Sequence, residues 1–173
     1  MLALKKITAR YDATEDRLVL HAEAADGQQA RLWCTQRLFN RLAKALVSML
    51  DQELARSTPA ARVGGQQLHA MEQGAAQAQL GQQVPVAASA QEPVSALLTS
   101  VDITRRGQRF ELIFKSAVEG VASMLLTATE LRQWLGIVHR LYGQAAWPTD
   151  HWPAWFKAAQ SEVANPELAK SLH

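Results

Sequence analysis

The sequence predicts an α+β fold in which two βββα units form antiparallel sheet covered by amphipathic helices. Residues 1–55 and 96–142 show the same order of elements, three β-rich segments followed by a helical pattern. Each unit has a Gly-containing turn signal between strands, and the helical segment carries an apolar stripe of period 3.6. The offset between the units is too long for a solenoid repeat. A pseudo-twofold arrangement of the two units in one domain is therefore expected.

Turn residues and β-formers place the strands. Asp26-Gly27 is typical of a two-residue hairpin loop, because a type I′ turn needs positive φ at both central positions. With that loop, Cys34 lies opposite Val19, and His21 is its diagonal neighbour on the same face of the sheet. The expected strands lie at 3–11, 16–24 and 28–35 in the first unit and at 98–106, 110–114 and 124–126 in the second.

Two helices follow from capping signals and apolar stripes. Thr35 is a candidate N-cap for the first helix, whose stripe includes Phe39, Leu42 and Leu46. Thr127 and Glu130 have the spacing of a capping box at the start of the second helix, which Gly143 is expected to end. Both stripes predict helices that cover the sheet with one apolar face.

Two segments differ in composition from the units. Residues 56–95 contain 9 Ala, 8 Gln and 4 Gly and no aromatic residue, which predicts a mobile linker. Two interpretations of this linker are open: an inert tether, or a segment that forms an Ala/Gln-rich helix over 66–83 on binding. Residues 143–173 form a Trp-rich C-terminal arm, with a short helix expected from Pro153 and a last helix near 166–172. The arm holds three of the five tryptophans, which is unusual for a terminal segment.

The aromatic side chains of the arm, Trp147, Trp152, Trp155 and Phe156, have two main interpretations. Large apolar rings bury much area, so the arm is expected to fold back on the domain as a lid. Exposed aromatic clusters also anchor protein interfaces, which makes the same residues candidate contacts for a partner protein. Stacking on a ligand or on nucleic acid is a third interpretation.

Five arginines, Arg10, Arg17, Arg105, Arg106 and Arg109, lie at equivalent hairpin corners of the two units. Such corners can contact phosphates. Charged side chains at strand ends also protect sheet edges from aggregation, which is the alternative interpretation. The net charge is only +2, and the four segments carry +1, 0, +2 and −1. A nucleic-acid partner is therefore not favoured.

No motif for catalysis, a cofactor or a metal is found. Cys34 is the single cysteine, which excludes an intrachain disulfide and a cysteine-based zinc site. The histidines lack metal-ligand spacing, and no phosphate-binding glycine loop is present. No apolar run has the length of a signal peptide's core or of a membrane span, so a cytoplasmic protein without a membrane partner is expected.

These observations predict a non-enzymatic protein-interaction or assembly module, with a homodimer as one form. The first alternative is a small-molecule-binding protein or an enzyme with a cleft between the two units. The second alternative is a weak nucleic-acid-binding module that uses the basic corners.

Overall fold

Seven strands, three long helices and one short helical segment occur in the parts of the chain that the computed structural model describes, which are residues 1–57, 61–81, 84–87, 92–117 and 119–157. The chain is α+β, as the sequence predicts. The strands are β1 (Leu2–Asp12), β2 (Arg17–Ala24), β3 (Gln29–Cys34), β4 (Val94–Leu97), β5 (Ser100–Arg106), β6 (Arg109–Lys115) and β7 (Gly120–Thr127). The helices are α1 (Gln36–Ser57), α2 (Ala61–Ala78) and α3 (Ala128–Gln144).

One mixed sheet holds all seven strands in the order β4-β3-β2-β1-β7-β6-β5. β1 pairs with β7 and β3 pairs with β4 in parallel, while the other neighbours are antiparallel. The expectation of purely antiparallel sheet is therefore wrong at these two junctions. Both are long-range pairings, and no local turn signal announces such a pairing in the sequence.

The sheet curls until its two ends lie side by side. β4 and β5 stand at opposite ends of the strand order, yet only Leu98 and Thr99 separate them. The amide of Leu98 donates to the carbonyl of Trp33 on β3 at 2.8 Å, and the amide of Thr99 donates to the carbonyl of Lys115 on β6 at 2.9 Å. The chain thus passes from one end of the sheet to the other within two residues.

Each half of the sheet is an antiparallel meander that leads into a helix. β1, β2 and β3 precede α1, and β5, β6 and β7 precede α3. This is the element order expected from the sequence. That the two halves superpose as copies of one unit stays a prediction.

The β2–β3 hairpin has a different register from the expected one. Leu18 lies opposite Cys34 and His21 lies opposite Arg31. Only Gly27 has positive φ in this turn, at 85°, and the amide of Ala24 donates to the carbonyl of Gln28. The loop is therefore one residue longer than a type I′ turn. A register slip of one residue moves the side chains of a strand to the other face of the sheet. Cys34 is therefore buried in the core while His21 lies on the outer face, and the expected contact between them is wrong.

Residues 61–78 of the expected linker form helix α2, which packs against α3. His69, Gln73 and Ala76 are buried there. The Gln73 side-chain amide donates to the main-chain carbonyl of Arg132 at 2.9 Å, and Gly136 has no Cβ that would collide with Gln77. The interface is held by small and polar side chains at helical spacing. Composition alone predicted a mobile linker here, whereas the structure has residues 61–78 as a helix packed against α3.

The capping predictions for both long helices are confirmed. The Thr35 hydroxyl accepts from the amide of Leu38 at 3.2 Å at the start of α1. The capping box of Thr127 and Glu130 is present at the start of α3, which ends one residue beyond Gly143. In the arm, residues 154–157 are helical, and the helix expected near 166–172 lies outside the described residues.

Candidate functional site: the cleft between strands β1 and β7

A cleft opens where β1 and β7 separate. The two strands pair only at residues 2–4 and 122–124. Directly after this stretch, the pairing of β1 with β2 contains an irregularity between Leu4 and Lys6, which leaves Lys5 without a register partner. A β-bulge bends its strand and increases the local twist. The bulge therefore turns β1 away from β7 at the point where their pairing ends, and this cleft lies between the two halves of the sheet.

The cleft contains a cavity of about 240 Å³ with a largely apolar lining. Residues 5–9 of β1 all border it. Because successive side chains of a strand point to opposite faces, five consecutive lining residues mean that the edge of β1 faces the cavity. The remaining lining comes from β7, from α3 and from the chain after α2. The apolar side chains include Ile7, Ala9, Met124, Leu126, Trp134 and Ile137.

One buried hydrogen-bond donor in the cleft is unengaged. Trp134 is 7% exposed, and its indole Nε1 has no hydrogen-bond partner among the described residues. Its polar neighbours are occupied, since Glu130 caps α3 and the Gln133 amide donates to the carbonyl of Ala76 at 3.0 Å. A buried donor without a partner costs about 1–3 kcal/mol.

Two lysines lie at the mouth of the cleft. Lys6 donates to the main-chain carbonyl of Pro85 at 3.2 Å, and Lys5 forms an ion pair with Glu23 at 2.9 Å. The charge of Lys6 is not matched by an ion pair with a described carboxylate. The arrangement suits an apolar group that lies close to negative charge.

A buried polar cluster joins the three helices on another side of the molecule. The Nη2 of Arg132 contacts Nδ1 of His69 at 3.1 Å and also pairs with Glu72, and Nε2 of His69 lies 3.0 Å from Asp51. Because a guanidinium only donates, Nδ1 must accept, and the ring proton sits on Nε2 and points to Asp51. Burial, and next the charge of Arg132, lower the pKa of His69.

The histidine of this cluster has no nitrogen left for a substrate. Both ring nitrogens are engaged, and the ring stacks on Trp155 at a centroid distance of 4.9 Å. Proton transfer to a reacting group needs a nitrogen within hydrogen-bond reach of that group. The cluster therefore links α1, α2, α3 and the arm.

All four large aromatic residues of the arm are buried in the core: Trp147, Trp152, Trp155 and Phe156. The indole of Trp147 donates to Asp16 at 3.0 Å and packs against Tyr11 and Tyr142. Burial in this position agrees with the arm acting as a lid. While the arm is docked these side chains are not at the surface, and their role as partner contacts stays a prediction.

The five arginines do not form one cluster with free charges. Arg17 pairs with Glu15 at 3.7 Å, Arg105 with Glu53, and Arg106 with Glu111 at 2.5 Å. Arg10 and Arg109 make no ion pair with a described carboxylate. β1 and β5 run in the same direction, so both hairpin corners lie at one end of the sheet, separated along it by β7 and β6. Phosphate contact at these corners stays a prediction.

The remaining chemistry-bearing residues do not assemble into a site. Burial raises the pKa of the Cys34 thiol to about 12, so the nucleophilic thiolate is suppressed. In the described part of the chain, no group of three or more His, Cys, Asp or Glu side chains is placed to hold a metal ion. None of the described helices has the length and apolar character to cross a membrane.

The sequence raised a cleft between the two units as an alternative but did not identify the residues that line this one. Trp134 belongs to the apolar stripe of α3, where a tryptophan is indistinguishable from an ordinary core residue. The parallel pairing of β1 with β7 joins segments more than a hundred residues apart. The doubled lysine within β1, at Lys5 and Lys6, interrupts the apolar alternation and is the one local signal of the bulge.

Comparisons of this chain with models of protein families, with curated proteins and with solved structures found no match.

Proposed function

We propose that this protein is a non-enzymatic interaction module that holds a large apolar side chain of a partner protein in the β1–β7 cleft. The observation that carries the proposal is the largely apolar cavity of about 240 Å³, whose lining includes the large ring of Trp134. Protein interfaces obtain much of their binding energy from a few anchor side chains that fill such pockets.

The unpaired edge of β1 favours a partner in which the residues next to the anchor side chain form an extended segment. Past residue 4, the main chain of β1 is not paired with β7. Unpaired strand edges bind extended peptides through main-chain hydrogen bonds, and side-chain pockets add specificity. The ammonium of Lys6 at the mouth favours an acidic residue next to the anchor.

We also infer that the two halves, residues 1–55 and 96–142, are copies of one βββα unit, so that the cleft marks their junction. The shared order of three antiparallel strands and a helix supports this inference. Superposition of the two halves in an experimental structure tests it. Different curvature or different helix placement in the two halves would count against a duplication.

A peptide display selection tests the proposed function. A random peptide library is selected on the wild-type protein, and the enriched peptides are then measured on Ala9→Phe, whose ring would occupy the cavity. Ala45→Phe is the matched control, because Ala45 is exposed on α1. Thermal unfolding of both variants confirms that they are folded.

We expect the selected peptides to share a large apolar residue beside an acidic one. Ala9→Phe should weaken their binding at least about tenfold, which corresponds to about 1.4 kcal/mol, and Ala45→Phe should bind as the wild type does. Peptides that bind both variants equally would place the interaction elsewhere and refute the proposal.

The dimensions of the cleft support a second candidate, a small apolar molecule. Its volume of about 240 Å³ is slightly below that of common ligand pockets, which measure roughly 300–1,000 Å³. A fragment-sized molecule fits this description. Fragments that bind the wild type and not Ala9→Phe, together with a failed peptide selection, would favour this candidate over the protein partner.

A further inference from the structure

A second cavity, of about 330 Å³, lies on the outer face of β1, β2 and β3. The strand register sets its floor, because Thr8 lies opposite His21 and His21 lies opposite Arg31. Arg10 is two residues further along β1 and points to the same face as Thr8. The hairpin register therefore brings two guanidinium groups to the two sides of one imidazole.

A short segment of the chain covers this floor. Residues 84–87 cross the outer face and are held by three hydrogen bonds. Lys6 donates to the carbonyl of Pro85 at 3.2 Å, the amide of Val86 donates to the Thr8 hydroxyl at 3.0 Å, and the Gln29 amide donates to the carbonyl of Ala87 at 2.8 Å. We call residues 84–87 the strap. The strap and Pro93 close one side of the cavity.

The cavity has an uncompensated positive charge. Neither Arg10 nor Arg31 forms an ion pair with a carboxylate in the described part of the chain. Glu23, which lies two residues beyond His21 on β2, forms an ion pair with Lys5 at 2.9 Å. Burial, followed by the charges of Arg10 and Arg31, lowers the pKa of His21, so its ring is neutral near pH 7 and keeps one N–H donor.

We propose that this cavity binds the phosphate monoester group of a small molecule. Guanidinium groups bind phosphate oxygens through paired charge-assisted hydrogen bonds, and two of them border one cavity here together with an imidazole and a hydroxyl. The volume exceeds that of a bare phosphate ion and leaves room for a small organic part. The strap narrows the cavity, which disfavours a continuous polynucleotide backbone. This site shares Thr8 with the lining of the cleft, but its basic groups, Arg10, His21 and Arg31, lie outside that lining. The proposal therefore does not depend on the function proposed for the cleft.

NMR titration of the His21 ring tests this site directly. Inorganic phosphate and glycerol 3-phosphate are the probes, and chloride at matched ionic strength is the reference. We expect a saturable shift of the His21 ring signals with both phosphates, and a rise of the His21 pKa when the anion is bound, because the anion stabilises the protonated ring. Arg31→Gln and Arg10→Gln should each weaken binding by about tenfold, since a hydrogen bond to a charged group contributes about that factor.

Arg109→Gln is the control, because Arg109 is an exposed arginine outside the cavity. It should bind both probes as the wild type does. Shifts that do not saturate, that chloride reproduces, or that Arg109→Gln weakens equally would overturn the proposal. The assignment to a small molecule would be overturned if a single-stranded oligonucleotide bound more tightly than glycerol 3-phosphate and if the same variants abolished that binding. Should Arg31→Gln fail to fold, Arg10→Gln decides the outcome.

Discussion

Replacing Trp152 by alanine should destabilise the protein strongly, because the arm is part of the core. Trp152 is 4% exposed, and its ring lies 4.9 Å from the rings of both Phe156 and His139 and 5.5 Å from that of Tyr142. Core Trp→Ala changes cost about 3–5 kcal/mol. Its Nε1 has no partner among the described residues, so the loss comes from packing alone. In a chain of this size we expect the melting temperature to fall by about 6–20 °C.

Urea unfolding followed by circular dichroism measures this change. Trp33→Ala is the matched control, because Trp33 is half-buried on the outer face and donates to Ser95 at 3.3 Å. The control should lose about 1 kcal/mol, the usual size for a partly exposed site. Equal losses in the two variants, or an unchanged unfolding midpoint for Trp152→Ala, would refute the packing of the arm described above.

Three further predictions concern α2 and the buried titratable groups. Replacing residues 61–78 by a Gly/Ser bridge should cost more than about 3 kcal/mol, because it removes the buried residues His69, Gln73 and Ala76 and uncovers the face of α3 that they cover. Calorimetry checks this, and a cost below about 1 kcal/mol would restore the linker interpretation. Because the pKa of His69 is lowered in the folded protein, the unfolded chain binds more protons than the folded chain below about pH 6.5. The stability should therefore fall as the pH drops through that value, and the urea midpoint should fall less in His69→Gln. Cys34, whose pKa is about 12, should react with a thiol reagent at pH 8 only after urea is added, and rapid labelling of the native protein would contradict its burial.

The sequence predicts local structure well and long-range pairing poorly. The capping box at Thr127 and Glu130 and the positive φ at Gly27 each depend on a few neighbouring residues, and both are found. The pairing of β1 with β7, the short strand β4 and the docking of α2 depend on contacts between distant segments. A one-residue error in the length of the loop at Gly27 placed His21 on the wrong face. The same register that corrects this error also brings His21 next to Arg31.

The candidate cleft depends on the same long-range pairing. Ile7 and Trp134 each look like a core residue in their own element, and only the parallel junction of the two halves puts them around one cavity. The irregularity at Lys5 opens that junction, and its effect appears only once β1 has a neighbour on each side. Among the arginines, the sequence selected Arg10 as a candidate phosphate contact and did not select Arg31, which lines the same outer cavity.

The indole N–H signal of Trp134 tests the central claim most directly. The ¹⁵N-labelled protein is titrated with a peptide from the display selection, and Trp134→Phe identifies the signal among the five tryptophans. The cleft account predicts that this signal moves on binding, because the bound side chain packs against the lining that includes Trp134, and that Ala9→Phe removes the shift. A peptide that binds the wild type with the Trp134 signal unchanged would contradict the account.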